Sequence, residues 1–272
     1  MIRLTIANHD LLERIETVAA DWFTRARLLT GQNERAGAHV TATPIWSEVR
    51  AVLARLQRGK CAYCERKLGS SGDEVTIDHF RPKGKIAAWK GRAADVGGAS
   101  RTGYFLLAYD PRNYLAACRR CNNKWKGSRF PTARSRRLDT AEADLLAEEL
   151  PYLVSPADPE DIDPERLIGW DGPMPIPADP AGRDRALVTI DVLGLAHEDL
   201  VKERQLVLRN VWLAHQNAQG EKPDVLAKAM LDDWCSPASA HSACARRFRE
   251  LCDENPAAAR RHVEVAMQSA SV

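Results

Sequence analysis

Apolar residues recur at helical spacing toward both ends of this chain and at strand spacing only near its middle. Leu11, Leu12, Ile15, Val18 and Trp22 fall near a 3.6-residue period and predict a helix over residues 8–30. Residues 31–43, rich in Gly, Asn, Ala and Thr, predict a loop. Trp46, Val49, Val52, Leu53 and Leu56 share one stripe of a second helix from Ile45 to Gln57, which Gly59 closes. The pattern then switches to period two. Glu74 to His79 alternates as a short strand, with Val75 and Ile77 on one face, and Asn113 to Ala117 suits a second. Between them Arg81 to Thr102 reads as a long loop, and Arg119 to Lys126 can start a helix.

Beyond Pro131 the helical period returns in pieces. A helix is predicted from Thr140 to Leu150, followed by a proline-rich stretch over 151–183 with a hairpin around Trp170-Asp-Gly-Pro173. Leu187 to Leu195 leads into a long amphipathic helix, His197 to His215, that carries Leu200, Val207, Val211 and Trp212 on one side. Two further helices are predicted over Pro223 to Trp234 and Ser239 to Cys252. A last one starts at Asn255-Pro256, a cap residue followed by proline at the first helical position. The expected fold class is therefore α+β and mostly helical. It divides into an N-terminal helical segment (1–58), a small strand–loop–strand–helix core (59–131) and a loop-rich, then helical, C-terminal region (132–272).

Composition allows a globular core, since 44% of the 272 residues are hydrophobic. No apolar run approaches the roughly 20 residues of a membrane span, and the first residues lack the features of a signal peptide, so cytoplasmic residence is the expectation. The net charge of +2 is uninformative, but its distribution is not. Pro111 to Leu138 holds nine Lys/Arg residues and no acid, and His79 to Ala94 adds five more, whereas Asp139 to Glu165 is rich in carboxylates. Basic charge confined to the core suits a polyanionic partner such as nucleic acid. Lys83, Lys85, Arg119, Arg120, Lys124, Lys126 and Arg129 are the candidate phosphate contacts. Trp89, Tyr104 and Trp125 are open to two readings, base stacking or core packing.

The core is framed by two cysteine pairs, Cys61-Ala-Tyr-Cys64 and Cys118-Arg-Arg-Cys121. Four thiolates in Cys-x2-Cys pairs suit the tetrahedral preference of Zn²⁺, and four protein ligands leave no open position, which marks a structural rather than a catalytic zinc. Disulfide chemistry is disfavoured in a reducing compartment, and there is no βαβ context for a thioredoxin-type motif. Cys235, Cys244 and Cys252 read instead as core residues; Cys244, Phe248, Leu251 and Cys252 share a helical face.

Inside the cysteine frame lie Asp78-His79-x2-Pro82, Asn113-Tyr-Leu and Cys121-Asn122. A neutral imidazole at His79 has the pKa range of a general base, and oxygen ligands from Asp78 and Asn122 suit Mg²⁺ or Mn²⁺. From Gly59 to Pro131 this constellation resembles the HNH endonucleases of the ββα-metal superfamily in their zinc-stabilised form. The resemblance implies that Asp78 and Asn122 hold a catalytic Mg²⁺, that His79 activates water, that Asn113 braces the loop orienting His79, and that the four cysteines hold zinc. Many members carry histidine where this chain has Asn122.

Further stretches are similar to the HNH subunits of Septu and retron-associated anti-phage systems: Cys61-Ala-Tyr-Cys64-Glu65, His79-Phe-Arg-Pro-Lys83, Tyr104 to Cys118, Lys126-Gly-Ser-Arg-Phe-Pro131, and Thr189 to Leu195 followed by a helix containing Arg204. That likeness implies a nuclease effector beside an ABC-type ATPase; this chain itself has no Gly-x4-Gly-Lys-Ser/Thr loop. Two other readings stay open. One is a zinc-containing nucleic-acid-binding module without catalysis, which would not need His79, Asp78 and Asn122; the other is a stand-alone restriction-type nuclease.

Overall fold

The structure is a computed structural model that describes residues 1–40, 43–69, 75–219 and 224–269. It is α+β and mostly helical, with two separate two-stranded antiparallel sheets. Three N-terminal helices, α1 (Asn8–Val18), α2 (Trp22–Ala36) and α3 (Arg50–Leu56), precede strand β1 (Val75–His79) and strand β2 (Tyr114–Cys118). A helix wound with π-type hydrogen bonds, Arg120–Lys126, follows β2 directly. Then come the short α4 (Ala143–Ala147) and α5 (Pro164–Leu167), and a hairpin of β3 (Ile168–Asp171) and β4 (Met174–Pro177). Helices α6 (Arg183–Leu193), α7 (Glu198–Ala218), α8 (Val225–Cys235), α9 (Ser242–Glu254) and α10 (Pro256–Ser269) complete the chain. Among the described residues no helix is long and apolar enough to cross a membrane.

The β1–β2 ribbon is packed from both sides, which explains why β2 is buried along its whole length. Alternation sends Tyr114 and Ala116 to a core formed with α1–α3, and Leu115 and Ala117 to a second core that reaches Leu153, Val188, Val192 and Leu193. A third core holds α7–α10, where Cys235, Cys244 and Cys252 are buried as core residues.

Several element boundaries differ from the periodic pattern. The helix predicted over residues 8–30 breaks at Ala19, whose φ of −150° leaves the helical region, and restarts so that buried Trp22 can donate from Nε1 to the Ile45 carbonyl at 2.9 Å. α2 then runs on to Ala36, so the first part of the predicted 31–43 loop is helical; Thr41 and Ala42 lie outside the described residues. Tertiary hydrogen bonds of Asn33 outweigh its weak helix propensity. The second predicted helix is a 3-10 turn (Ile45–Ser47) followed by α3, and the helix over 140–150 shrinks to α4. Glu74 of the predicted strand and Pro223 of the predicted helix lie outside the described residues. The hairpin at Trp170-Asp-Gly-Pro173 is present.

A buried charge network ties the first cysteine pair to Met1 and to the start of α9. Glu65, at φ +63°, accepts from the Met1 ammonium at 2.8 Å, from Lys60 Nζ at 3.0 Å and from Ser242 Oγ at 2.9 Å. Lys60 Nζ also donates to the Ser239 carbonyl at 2.9 Å, joining the pair to the start of α9. Next to it, Arg66 and His241 both bind Glu203 of α7. Burial alone would raise the Glu65 carboxyl pKa, but the Met1 ammonium and Lys60 outweigh it and hold the group well below the usual carboxylate range. Because the folded-state pKa is depressed, this stabilisation is present above the unfolded value of about 4.3 and is lost as the pH falls below it.

Removing the Glu65 charge strands two buried ammonium groups. Glu65→Gln is therefore expected to cost about 3–5 kcal/mol in urea unfolding at neutral pH, with the deficit shrinking toward pH 3. A variant within 1 kcal/mol of wild type at about pH 7 would contradict the role of the network.

Candidate active site

The four cysteines come together at the base of the ribbon. Cys61 and Cys64 lie on a turn, Cys118 ends β2 and Cys121 sits in the helix that follows. All four are buried, their sulfurs lie within 4.8 Å of one another, and Cys64 Sγ is 3.8 Å from Cys118 Sγ. Tetrahedral Zn–S bonds of about 2.3 Å place sulfurs about 3.8 Å apart, so the cluster has the dimensions of a structural zinc site. Hydrogen bonds from Cys121 and then Cys61 hold the Cys118 thiol low, while bonding to Cys118 pushes the Cys64 and Cys121 thiols up. Full ionisation of four buried thiols this close together calls for a cation among them.

The clamp positions the next layer directly. The Ala62 N–H bonds the Ala116 carbonyl of β2 at 3.1 Å, and Tyr63, between the paired cysteines, donates from its hydroxyl to Asp78 Oδ2. Asp78 and His79 are consecutive in β1, so their side chains leave on opposite faces. Asp78 turns toward Tyr63 and Lys126. His79 pairs across the ribbon with Tyr114, its ring 4.9 Å from that of Tyr114 and 5.0 Å from that of Trp46, both edge-on.

His79 Nε2 bonds the Ala108 carbonyl at 3.0 Å. A carbonyl only accepts, so Nε2 carries the proton and Nδ1 presents a lone pair. Burial, followed by the charge of Lys83, holds the imidazole pKa well below its ordinary value, which keeps His79 neutral near pH 7.

Asn113 fixes the chain just beyond His79. Its amide oxygen accepts from the Arg81 N–H at 2.8 Å, and its nitrogen donates to the carbonyls of Arg81 at 3.0 Å and Leu107 at 3.3 Å. Asn122 donates to Thr76 Oγ1 at 2.9 Å and to the Ile77 carbonyl at 3.2 Å, so its amide oxygen is left without a partner among the described residues. His79, Asp78 and Asn122 line one cleft of about 430 Å³ together with His39, Lys83 and Lys85. Asn113 does not line it; it acts on the backbone behind.

The predicted phosphate contacts separate into groups. Lys83 and Lys85 line the cleft, Lys83 with its ammonium 4.4 Å from the Trp46 ring centroid. Arg119, which precedes the helix after β2, and Lys124, within it, are exposed. Arg120 is exposed but paired with Asp199, and Arg129 donates to the Trp125 carbonyl. Lys126 does not belong with them. It is fully buried, and its ammonium bonds Asp78 at 3.0 Å and the His79 carbonyl at 2.9 Å.

Tyr104 is a core residue, with its hydroxyl on Glu149 at 2.8 Å. Trp125 packs on His197 at 5.1 Å. Gly103, at φ +60°, crosses so close to Gly84 of the cleft wall that a Cβ would lie 1.7 Å from the Gly84 carbonyl.

Could Asp78 and Asn122 take a hard cation? The donor chemistry is right for one, since both residues are oxygen donors that line the same cleft and the Asn122 oxygen is unengaged among the described residues, but both Asp78 oxygens are held by Tyr63 and Lys126. Burial raises the Asp78 pKa, and the Lys126 ammonium works against that shift. Lys126 is thus a tethered cation already holding the carboxylate in place. The sequence pattern places Lys126 with the basic surface and assigns no role to Tyr63 or His39; chain order carries no signal for which lysine folds inward.

No family model matches this sequence, and no curated protein matches it.

Zinc titrated into metal-free protein is expected to raise its melting temperature. Structural-metal binding energy is folding energy, and each kcal/mol moves Tm by about 2–4 °C in a chain of this size class. Cys118→Ala should abolish that response and lower Tm by about 10 °C or more. Calorimetry showing unchanged stability after zinc loss would contradict the clamp.

Proposed function

We propose that this protein is a metal-dependent endonuclease of the HNH type that hydrolyses phosphodiester bonds in nucleic acid. The observation that carries this reading is that His79, whose Nδ1 is bare, lines one cleft with Asp78, Lys83, Lys85 and Asn122, whose amide oxygen is unengaged among the described residues. In this reading His79 takes a proton from the attacking water through Nδ1, held in the correct tautomer by the Ala108 carbonyl. Asp78 and Asn122 hold Mg²⁺ or Mn²⁺, which when bound supplies positive charge for the leaving oxygen. Asn113 keeps the backbone after His79 in place. Cys61, Cys64, Cys118 and Cys121 hold a structural zinc, and Lys83, Lys85, Arg119 and Lys124 contact the nucleic-acid backbone.

The similarity of the motifs to HNH subunits of Septu and retron-associated systems supports a further reading, an anti-phage effector controlled by an ABC-type ATPase. That part rests on the resemblance alone. A zinc-bearing nucleic-acid-binding module without catalysis is favoured by one observation, the engagement of both Asp78 oxygens by Tyr63 and Lys126.

Nicking of supercoiled DNA and cleavage of RNA with Mn²⁺ separate the two. Loss of a positioned general base typically costs 10²–10⁴-fold, so His79→Ala is expected to lower the rate by about 100-fold or more with its melting temperature unchanged. Equal cleavage by a folded His79→Ala protein would sink the catalytic assignment. Asn113→Ala should lower turnover by about 10-fold or more while binding persists, since misplacement alone is costly; an unaffected rate would remove its bracing role.

A further inference from the structure

A second imidazole, His39, reaches the cleft from outside the cysteine-framed segment. α2 ends at Gly37, whose φ of +62° turns the chain back so that the Ala38 N–H bonds the Asn33 carbonyl at 3.2 Å. The turn lays residues 39 and 40 over the side chain of Asn33, which is fully buried. The Asn33 amide oxygen accepts from the Val40 N–H at 3.1 Å, and its nitrogen donates to the Phe105 carbonyl at 3.1 Å. A backbone N–H only donates and a carbonyl only accepts, so these two bonds fix which end of the amide is nitrogen.

The same amide nitrogen faces His39 Nδ1 at 3.3 Å. An amide NH₂ offers no lone pair, so Nδ1 must be the bare nitrogen and the proton must sit on Nε2. Nε2 has no partner among the described residues. The His39 ring stands 6.1 Å from Trp46, which also lies 5.0 Å from His79 and 5.8 Å from Tyr109. Two imidazoles thus flank one indole with opposite hydrogen-bonding character. His79 spends Nε2–H on Ala108 and offers a lone pair; His39 spends its lone pair on Asn33 and offers an N–H. Burial and then Lys83 lower the His39 pKa, in keeping with a neutral ring.

We propose that His39 donates from Nε2–H to a phosphate oxygen of nucleic acid bound in the cleft, and that buried Asn33 sets the tautomer that makes this possible. The proposal rests on the nuclease reading. It makes the N-terminal helical segment part of the substrate site rather than a scaffold alone.

The test uses full-length wild type, His39→Gln, His39→Phe and Asn33→Asp. Long-range ¹H–¹⁵N spectra should find the wild-type His39 proton on Nε2, and this signal should shift when a short phosphodiester oligonucleotide is added with Ca²⁺. Asn33→Asp, which replaces the donor with an acceptor, should move the proton to Nδ1. In single-turnover cleavage with Mn²⁺, His39→Phe is expected to lose about 100-fold, as when one oxyanion donor is removed, and His39→Gln, which keeps an N–H, should recover most of it. If Asn33→Asp fails to fold, the Gln and Phe variants still decide the matter.

A proton on Nδ1 in wild type, or a folded His39→Phe that cleaves at the wild-type rate, overturns the proposal. Should His39→Phe match wild type while His79→Ala is inactive, only this proposal fails. If wild type binds the oligonucleotide without cutting it, the nuclease reading fails, and the Nε2 shift on binding then decides the role of His39: its presence supports phosphate donation and its absence refutes it.

Discussion

Four buried thiols cannot all ionise side by side without a cation among them, and the placement of that cluster fixes most of the site. The two cysteine pairs pin a turn to the end of β2 and to the start of the next helix. Tyr63, held between Cys61 and Cys64, reaches Asp78; Asn122, directly after Cys121, reaches back to β1. Residues flanking the same turn anchor the rest of the chain, Lys60 and Glu65 to the start of α9 and Arg66 to α7. One cluster therefore sets both the register of the ribbon and the docking of the helical C-terminal region.

Within the site, polar groups are assigned by what their neighbours leave over. Asp78 is too deeply buried to stand alone as a carboxylate, and Lys126 supplies the countercharge from inside. A divalent cation at Asp78 would share that carboxylate with Lys126, so the lysine weakens cation binding electrostatically while holding the carboxylate in place. The two imidazoles follow similar logic. Backbone carbonyls and the oriented Asn33 amide fix their tautomers before any ligand arrives, which is the preorganisation that electrostatic catalysis requires.

The sequence was informative where chemistry and spacing coincide. The paired cysteines, Asp78-His79, Asn113 and Asn122 are close enough along the chain, and specific enough in residue type, to be picked out together, and the structure gathers them. The alternation of β1 and the Asn255 cap of α10 were also readable, because local physics sets them. What could not be read depends on tertiary contact. Lys126 looks like any other residue of the basic segment until it folds under Asp78. His39 sits in a stretch whose composition says loop, and only the turn after α2 and the Asn33 amide bring it to the cleft. α2 runs past its predicted end for the same reason, since Asn33 is satisfied by groups distant in sequence.

In the proposed reading, one tightly held zinc organises the site and a second, weaker metal binds in the cleft. Metal analysis of the purified protein combined with Mn²⁺ titration followed by electron paramagnetic resonance tests this directly. The account predicts one zinc that survives dialysis and one Mn²⁺ that binds reversibly. Asp78→Ala and Asn122→Ala should each lose Mn²⁺ binding while keeping the zinc. Mn²⁺ binding unchanged in both variants, or zinc released together with Mn²⁺, would contradict it.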